Sequence, residues 1–156
     1  MYEVKEKTLR ISVRNLVEFI FSTGDIDSGS GKLMDVRVMQ EGARIHRKLQ
    51  KAAGSRYHAE VPLKYTVDLQ DDTRSYSVLI EGRADGIICD LQENDQGDTI
   101  PISDVIIDEI KTVGSDVHRM EEPVYVHKAQ AMCYGYIYAS HKALPSIEIG
   151  RASCRE

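Results

Sequence analysis

The sequence predicts an α/β fold, a mixed β-sheet flanked by helices, incomplete at its C-terminal end. Three observations predict it. Residues 12–54 carry apolar side chains at helical spacing, residues 57–113 switch to a loose strand alternation, and residues 124–144 return to the helical period. A length of 156 residues makes one domain with room for a real core.

The first helix is read from "SVRNLVEFIFSTGDID". Ser12 is placed to cap it, Leu16, Val17, Ile20 and Phe21 fall on one face, and Gly24 follows its end. Residues 25–34, "DIDSGSGKLM", form a Gly/Ser-rich loop. A second helix, "DVRVMQEGARIHRKLQKAAG", runs to Gly54. Its apolar stripe holds Val38, Ile45 and Leu49, while Arg44, Arg47, Lys48 and Lys51 are basic.

Strands follow in "YHAEVPLKYTVDL", "SYSVLIEGRADGIICDL" and "ISDVIIDEIKTV". The polar segments between them, "QDDTR" and "QENDQGDT", make two successive hairpins the economical reading. Pro123 then begins the helix "VYVHKAQAMCYGYIYASHKAL". "PSIEI" opens one more strand. The last segment, residues 149–156 ("IGRASCRE"), reads as a translated sequencing adapter rather than an ordinary polar terminus. The expected domain is therefore 1–148, lacking its final strands, and Cys154 carries no functional weight.

The net charge of −5 argues against a protein that coats nucleic acid nonspecifically, yet leaves room for a local basic patch. No apolar run is long enough to span a membrane, and "MYEVKEKTLR" lacks the apolar core of a secretory signal. Cys89, Cys133 and Cys154 have no CxxC spacing, so neither a disulfide framework nor a zinc knuckle is indicated. A reducing, cytoplasmic setting fits best.

One strand raises the question of function. In "VIIDEIKTV", residues 105–113, apolar residues on both sides of the chain suggest a strand covered on both faces. Asp108, Glu109 and Lys111 interrupt it, although unpaired charges cost several kcal/mol to bury. Alternation sends Glu109 and Lys111 to one face and Asp108 and Ile110 to the other. Two further features join them: Asp85 in "EGRADGII" and His46 in "GARIHRK". Two carboxylates and an imidazole form a donor set for a hard divalent cation, Mg²⁺ or, with the histidine, Mn²⁺. A lysine on the same face suits phosphodiester hydrolysis. Taken singly, each feature has a plain reading: a turn for Asp85–Gly86, an exposed pair for Glu109 and Lys111, a solvated side chain for His46. Gln130 and Tyr134 add weight, because they are polar, four apart and on a core-facing helix.

Four motifs stand in order: Gly42-x-x-x-His46, Gly82-x-x-Asp85, Asp108-Glu109-Ile110-Lys111 and Gln130-x-x-x-Tyr134. Together they resemble the motifs of RecB-type nucleases in the PD-(D/E)XK superfamily. "SVRNLVEFI", "EGARIHRKLQ", "HAEVPL" and "VHKAQAMCYGYIYA" resemble the nuclease-like N-terminal domain of some bacterial helicases related to DinG and XPD. The resemblance implies a restriction-endonuclease-like core. It implies that His46, Asp85, Glu109 and the Ile110 carbonyl bind Mg²⁺ or Mn²⁺ and that Lys111 is catalytic. Gln130 and Tyr134 would orient DNA and the lysine or phosphate. The implied activity is a deoxyribonuclease attacking in line with a metal-activated water, with DNA as partner and a helicase domain in the same natural chain.

Two departures stand out. Ala84 replaces the superfamily's namesake proline. Cys89 and Cys133 do not sit where some relatives bind an iron–sulfur cluster, so no cluster is expected. Arg44, Arg47, Lys48, Lys51 and Arg56, with Lys128, are read as a phosphate-facing strip or else as a solvated basic face. The rival to a working nuclease is a catalytically inactive nuclease-like module that binds DNA or braces a helicase.

Overall fold

A computed structural model of the chain describes residues 2–5, 8–21, 36–72, 74–113 and 125–155, with the backbone alone at 2–5, 38, 112, 113 and 151–155. The expected loop at 25–34, the helix stop at Gly24 and the helix start at Pro123 lie outside the described residues.

Strands β1 (Tyr2–Lys5) and β2 (Thr8–Ser12) come first and pair antiparallel. Helix α1 (Val13–Phe21) starts directly after them. Ser12 Oγ accepts the Asn15 N–H at 3.1 Å, so the expected cap forms. Val13 and Val17 are buried, but Ile20 and Phe21 are 60% and 38% exposed. The expected apolar face is therefore only half buried, although Phe21 at its far end still meets the Tyr125 ring, centroids 5.8 Å apart.

Helix α2 (Val36–Ala52) ends where Gly54, at φ 86°, takes the left-handed conformation that terminates helices. Strands β3 (Tyr57–Gln70) and β4 (Ser75–Ile88) form a long antiparallel hairpin, and β7 (Ile106–Val113) pairs antiparallel with the end of β4. Both expected hairpin pairings are present. The polar connection between β4 and β7 is not a plain turn, however. It folds into its own small hairpin, β5 (Leu91–Glu93) and β6 (Thr99–Pro101), around Asn94 and Gly97.

Helix α3 (Tyr125–Lys142) follows, and β8 (Glu148–Arg155) runs parallel to β7. The strand opened by "PSIEI" thus continues through residues read as a foreign tail. Ladder bonds join backbone to backbone, so the β7 edge sets this pairing with little regard to side chains.

The result is an α/β fold with a mixed six-stranded sheet, ordered β1-β2-β4-β7-β8 with β3 on the other edge of β4. Helices α1 and α3 pack together on it and enclose the core of Val13, Val17, Ile87, Ile107, Tyr134 and Ile137. The early strands escaped the sequence reading because "YEVK" and "TLRIS" are short and mixed in polarity. What makes β2 a strand is a parallel pairing to Ser77–Glu81, far along the chain.

Candidate active site

Strand β4 is paired by β3 from Ser75 to Ile88 on one edge, with only the Glu60–Asp85 position left out of the ladder. Its other edge is shared: β2 takes Ser77–Glu81 and β7 takes Gly86–Ile88. Residues 82–85 lie between these two partners and belong to neither. The sheet forks there, and the sequence-predicted site residues gather at the fork.

Continuing the β4–β7 register past Gly86↔Asp108 would set Ala84 opposite Ile110. Instead the strands separate, and Asp85 Oδ2 accepts the Ile110 N–H at 2.7 Å. The carboxylate stands in for the missing main-chain partner, as a buried amide requires. The pleat shifts at the same place. Ala84 and Ile87 share one core cluster although they are three apart, and strict alternation would separate them. Across the hairpin, Glu60 has φ 55°, a left-handed conformation unusual in a strand. Backbone outliers of this kind concentrate at functional sites.

Tyr134 closes the other end of the fork. A Cβ on Gly82 would lie 2.8 Å from its ring, so glycine is what admits the tyrosine. Its hydroxyl receives the Gln130 amide at 3.4 Å. Gln130 and Tyr134 are buried, 8% and 3% exposed, and offer no surface to a DNA strand in this arrangement. Burial raises the Tyr134 phenol above its ordinary range, so it stays protonated.

Glu109 is 1% exposed. Its Oε1 receives Lys111 Nζ at 2.6 Å, as the shared strand face predicts, while Oε2 is buried with no hydrogen-bond partner among the described residues. Burial and the nearby Asp85 charge push its carboxyl up to about 7, against the pull of Lys111. Asp85 is also raised by burial, partly offset by the Ile110 N–H, His46 and Lys111. His46 Nδ1 stands 3.9 Å from Asp85 Oδ1. Asp108 points the other way, as read, and Tyr57 on β3 donates to its Oδ2 at 2.8 Å.

Among the described residues, no three His, Cys, Asp or Glu side chains lie close enough together to hold a metal ion. His46, Asp85 and Glu109 occupy one neighbourhood without closing on a common point, and Lys111 sits on Glu109. In donor chemistry they still fit a hard cation, and Glu109 Oε2 is a buried oxygen without a hydrogen-bond partner among the described residues. The basic residues of α2 project outward: Arg44, Arg47, Lys48 and Lys51 are exposed. Arg44 is held by Glu41 on its own helix, and Arg56 by Asp90 and Ser103. Lys128 on α3 is also exposed. Further along α3, Tyr138 packs in the core and Tyr136 is exposed against Tyr65.

Three residues were missed by the sequence reading. Tyr57 covers Gly86 and holds Asp108; Glu60 carries the backbone outlier; Gln50 donates to Glu60 Oε1 at 2.9 Å and to the Asp85 carbonyl at 3.0 Å. Only Gln50 had a signal, since it lies one turn beyond His46 on the same helix face.

Fold and site together define a mixed-sheet α/β domain with a buried acid–lysine cluster at a sheet fork. No family model matches the chain, and no curated protein matches it. Among solved structures, SSO0001 is similar at a TM-score of 0.49 and 19% identity, over 97% of this chain and 64% of that one. The chain thus spans less than two thirds of that protein's length. In the described residues no helix is long and apolar enough to cross a membrane.

Proposed function

We propose that the chain is a Mg²⁺- or Mn²⁺-dependent deoxyribonuclease domain, acting in the cytoplasm beside a helicase in DNA repair or recombination. The observation that carries the reading is Glu109, buried to 1% exposure beside Asp85, with one oxygen on Lys111 and the other unpartnered among the described residues. Such a group costs stability, and proteins retain that cost where chemistry needs it. Asp85, Glu109, His46 and the Ile110 carbonyl are the groups that would hold the cation. Bound there, it would supply the lowered pKa of a water and the neutralisation of phosphate charge.

The chain's own residues do the rest. Lys111, its side chain 26% exposed, is the donor that reaches from the buried carboxylate toward a phosphate oxygen. Asp85 keeps β4 and β7 apart by occupying the Ile110 N–H. Arg47, Lys48 and Lys51 offer the DNA backbone exposed cationic heads along one helix, which is where a strand would be held.

The test is calorimetric titration of Mn²⁺ into wild type and Asp85→Ala, paired with Mg²⁺-dependent cleavage of DNA by wild type and Lys111→Ala. Binding lost in the first variant and cleavage lost in the second are expected. A second reading, an inactive nuclease-like module, draws on the Lys111–Glu109 ion pair and the ungathered donor set. A folded wild type that neither binds Mn²⁺ nor cuts DNA would replace the nuclease reading with that one.

A further inference from the structure

We infer that Gln50 is a positioning residue, clamping helix α2 onto the forked strand so that His46 faces Asp85. The inference rests on the nuclease reading only for its metal readout. Gln50 uses its side-chain amide twice: on the Asp85 carbonyl at 3.0 Å and on the Glu60 carboxylate at 2.9 Å. These two acceptors sit where the hairpin departs from regular geometry. Asp85 has left the β4–β7 ladder, and Glu60 has φ 55°. Arg83 holds the far oxygen of Glu60 at 2.7 Å, so the carboxylate is fixed from both sides.

The consequence is geometric. Asp85 sits on a strand segment with a partner on only one edge, so its carboxylate position is weakly determined by the sheet. Gln50 supplies the missing restraint from outside the sheet, through the main chain of the same residue. His46 and Gln50 are four apart on α2, so one clamp sets both the strand segment and the height of the imidazole above it. That accounts for His46 Nδ1 standing 3.9 Å from Asp85 Oδ1 with no direct hydrogen bond between them. Groups that orient ligands from behind commonly change metal affinity by roughly 10- to 100-fold when removed.

The experiment compares wild type with Gln50→Ala and Gln50→Glu by native-state hydrogen exchange and by Mn²⁺ titration. Alanine keeps the helix, and glutamate keeps the shape while losing both donors and facing Glu60. In both variants the Ile110 amide, which Asp85 Oδ2 accepts, is expected to exchange at least about tenfold faster, since a freer carboxylate guards it less. Amides elsewhere in β4 and β7 keep their protection, which a general loss of stability would not allow. Mn²⁺ affinity is expected to fall roughly 10-fold or more. Unchanged Ile110 protection in both variants overturns the inference, whatever the metal does. Failure of wild type to bind Mn²⁺ would count against the nuclease reading alone and leave the exchange result to decide the clamp.

Discussion

Asp85 Oδ2 accepts the main-chain N–H of Ile110 at 2.7 Å, a side chain doing the job of a strand. This relationship separates the structural from the chemical role of one carboxylate. Asp85→Asn retains an oxygen acceptor and removes the charge, so stability should stay within about 1 kcal/mol of wild type while Mn²⁺ binding and cleavage disappear. Asp85→Ala strands a buried amide and should cost about 1–3 kcal/mol. Urea unfolding of both variants checks the split; equal stabilities would mean the Ile110 bond contributes little.

Glu109 predicts an inverted pH response. Its folded-state carboxyl is raised to about 7 from an ordinary 4.5, so folding favours the protonated form. The contribution is complete below pH 4.5 and is lost as pH rises through 7. Asp85, also raised, acts in the same direction. Stability should therefore fall by on the order of 2–3 kcal/mol between about pH 5 and pH 8. Glu109→Gln should flatten the profile and be the more stable protein at pH 8. A wild-type profile that rises across this range would contradict the assignment.

Gly86 and Tyr57 should prove strongly coupled. A Cβ on Gly86 would clash with the Tyr57 ring, which lies over the glycine to reach Asp108. Gly86→Ala should cost roughly 2 kcal/mol or more, by overpacking, in the wild-type background. In a Tyr57→Ala background the penalty should drop below half. A double-mutant cycle by chemical denaturation reads this directly, and simple additivity would show that the ring moves aside at little cost.

The basic face of α2 makes a prediction about salt. Arg47→Ala and Lys48→Ala should each weaken DNA binding and reduce the slope of log affinity against log salt by about 0.7–0.9. Arg44→Ala should do less, because Arg44 is already held by Glu41. Fluorescence anisotropy with a labelled oligonucleotide over a salt series tests both statements, and equal slopes in all four proteins would remove this face from the interface.

Much of the site could be read before the fold was known. The alternation of "DEIK" correctly put Glu109 and Lys111 on one face and Asp108 on the other, because strand pleating is a local rule. The Ser12 cap and the Gly54 stop were legible for the same reason. Tyr57 was not, since only the β3–β4 register lays it over Gly86. Neither was β2, whose parallel pairing to β4 joins residues some seventy positions apart, nor β1, which forms its strand on β2.

The sequence by itself determined which residue types are present and which local periods they obey: helices at α2 and α3, strands at β3, β4 and β7, and charges set into an apolar strand. Tertiary structure alone decided that β2 and β7 share one edge of β4 and leave Gly82–Asp85 between them. It also decided that Asp85, Tyr134 and Gln50 turn toward that gap. The reason is physical. Propensity and alternation act over a few residues, whereas a fork in a sheet arises only when distant strands compete for the same row of backbone hydrogen bonds. The groups left over must then be satisfied by whichever side chains the fold brings within reach.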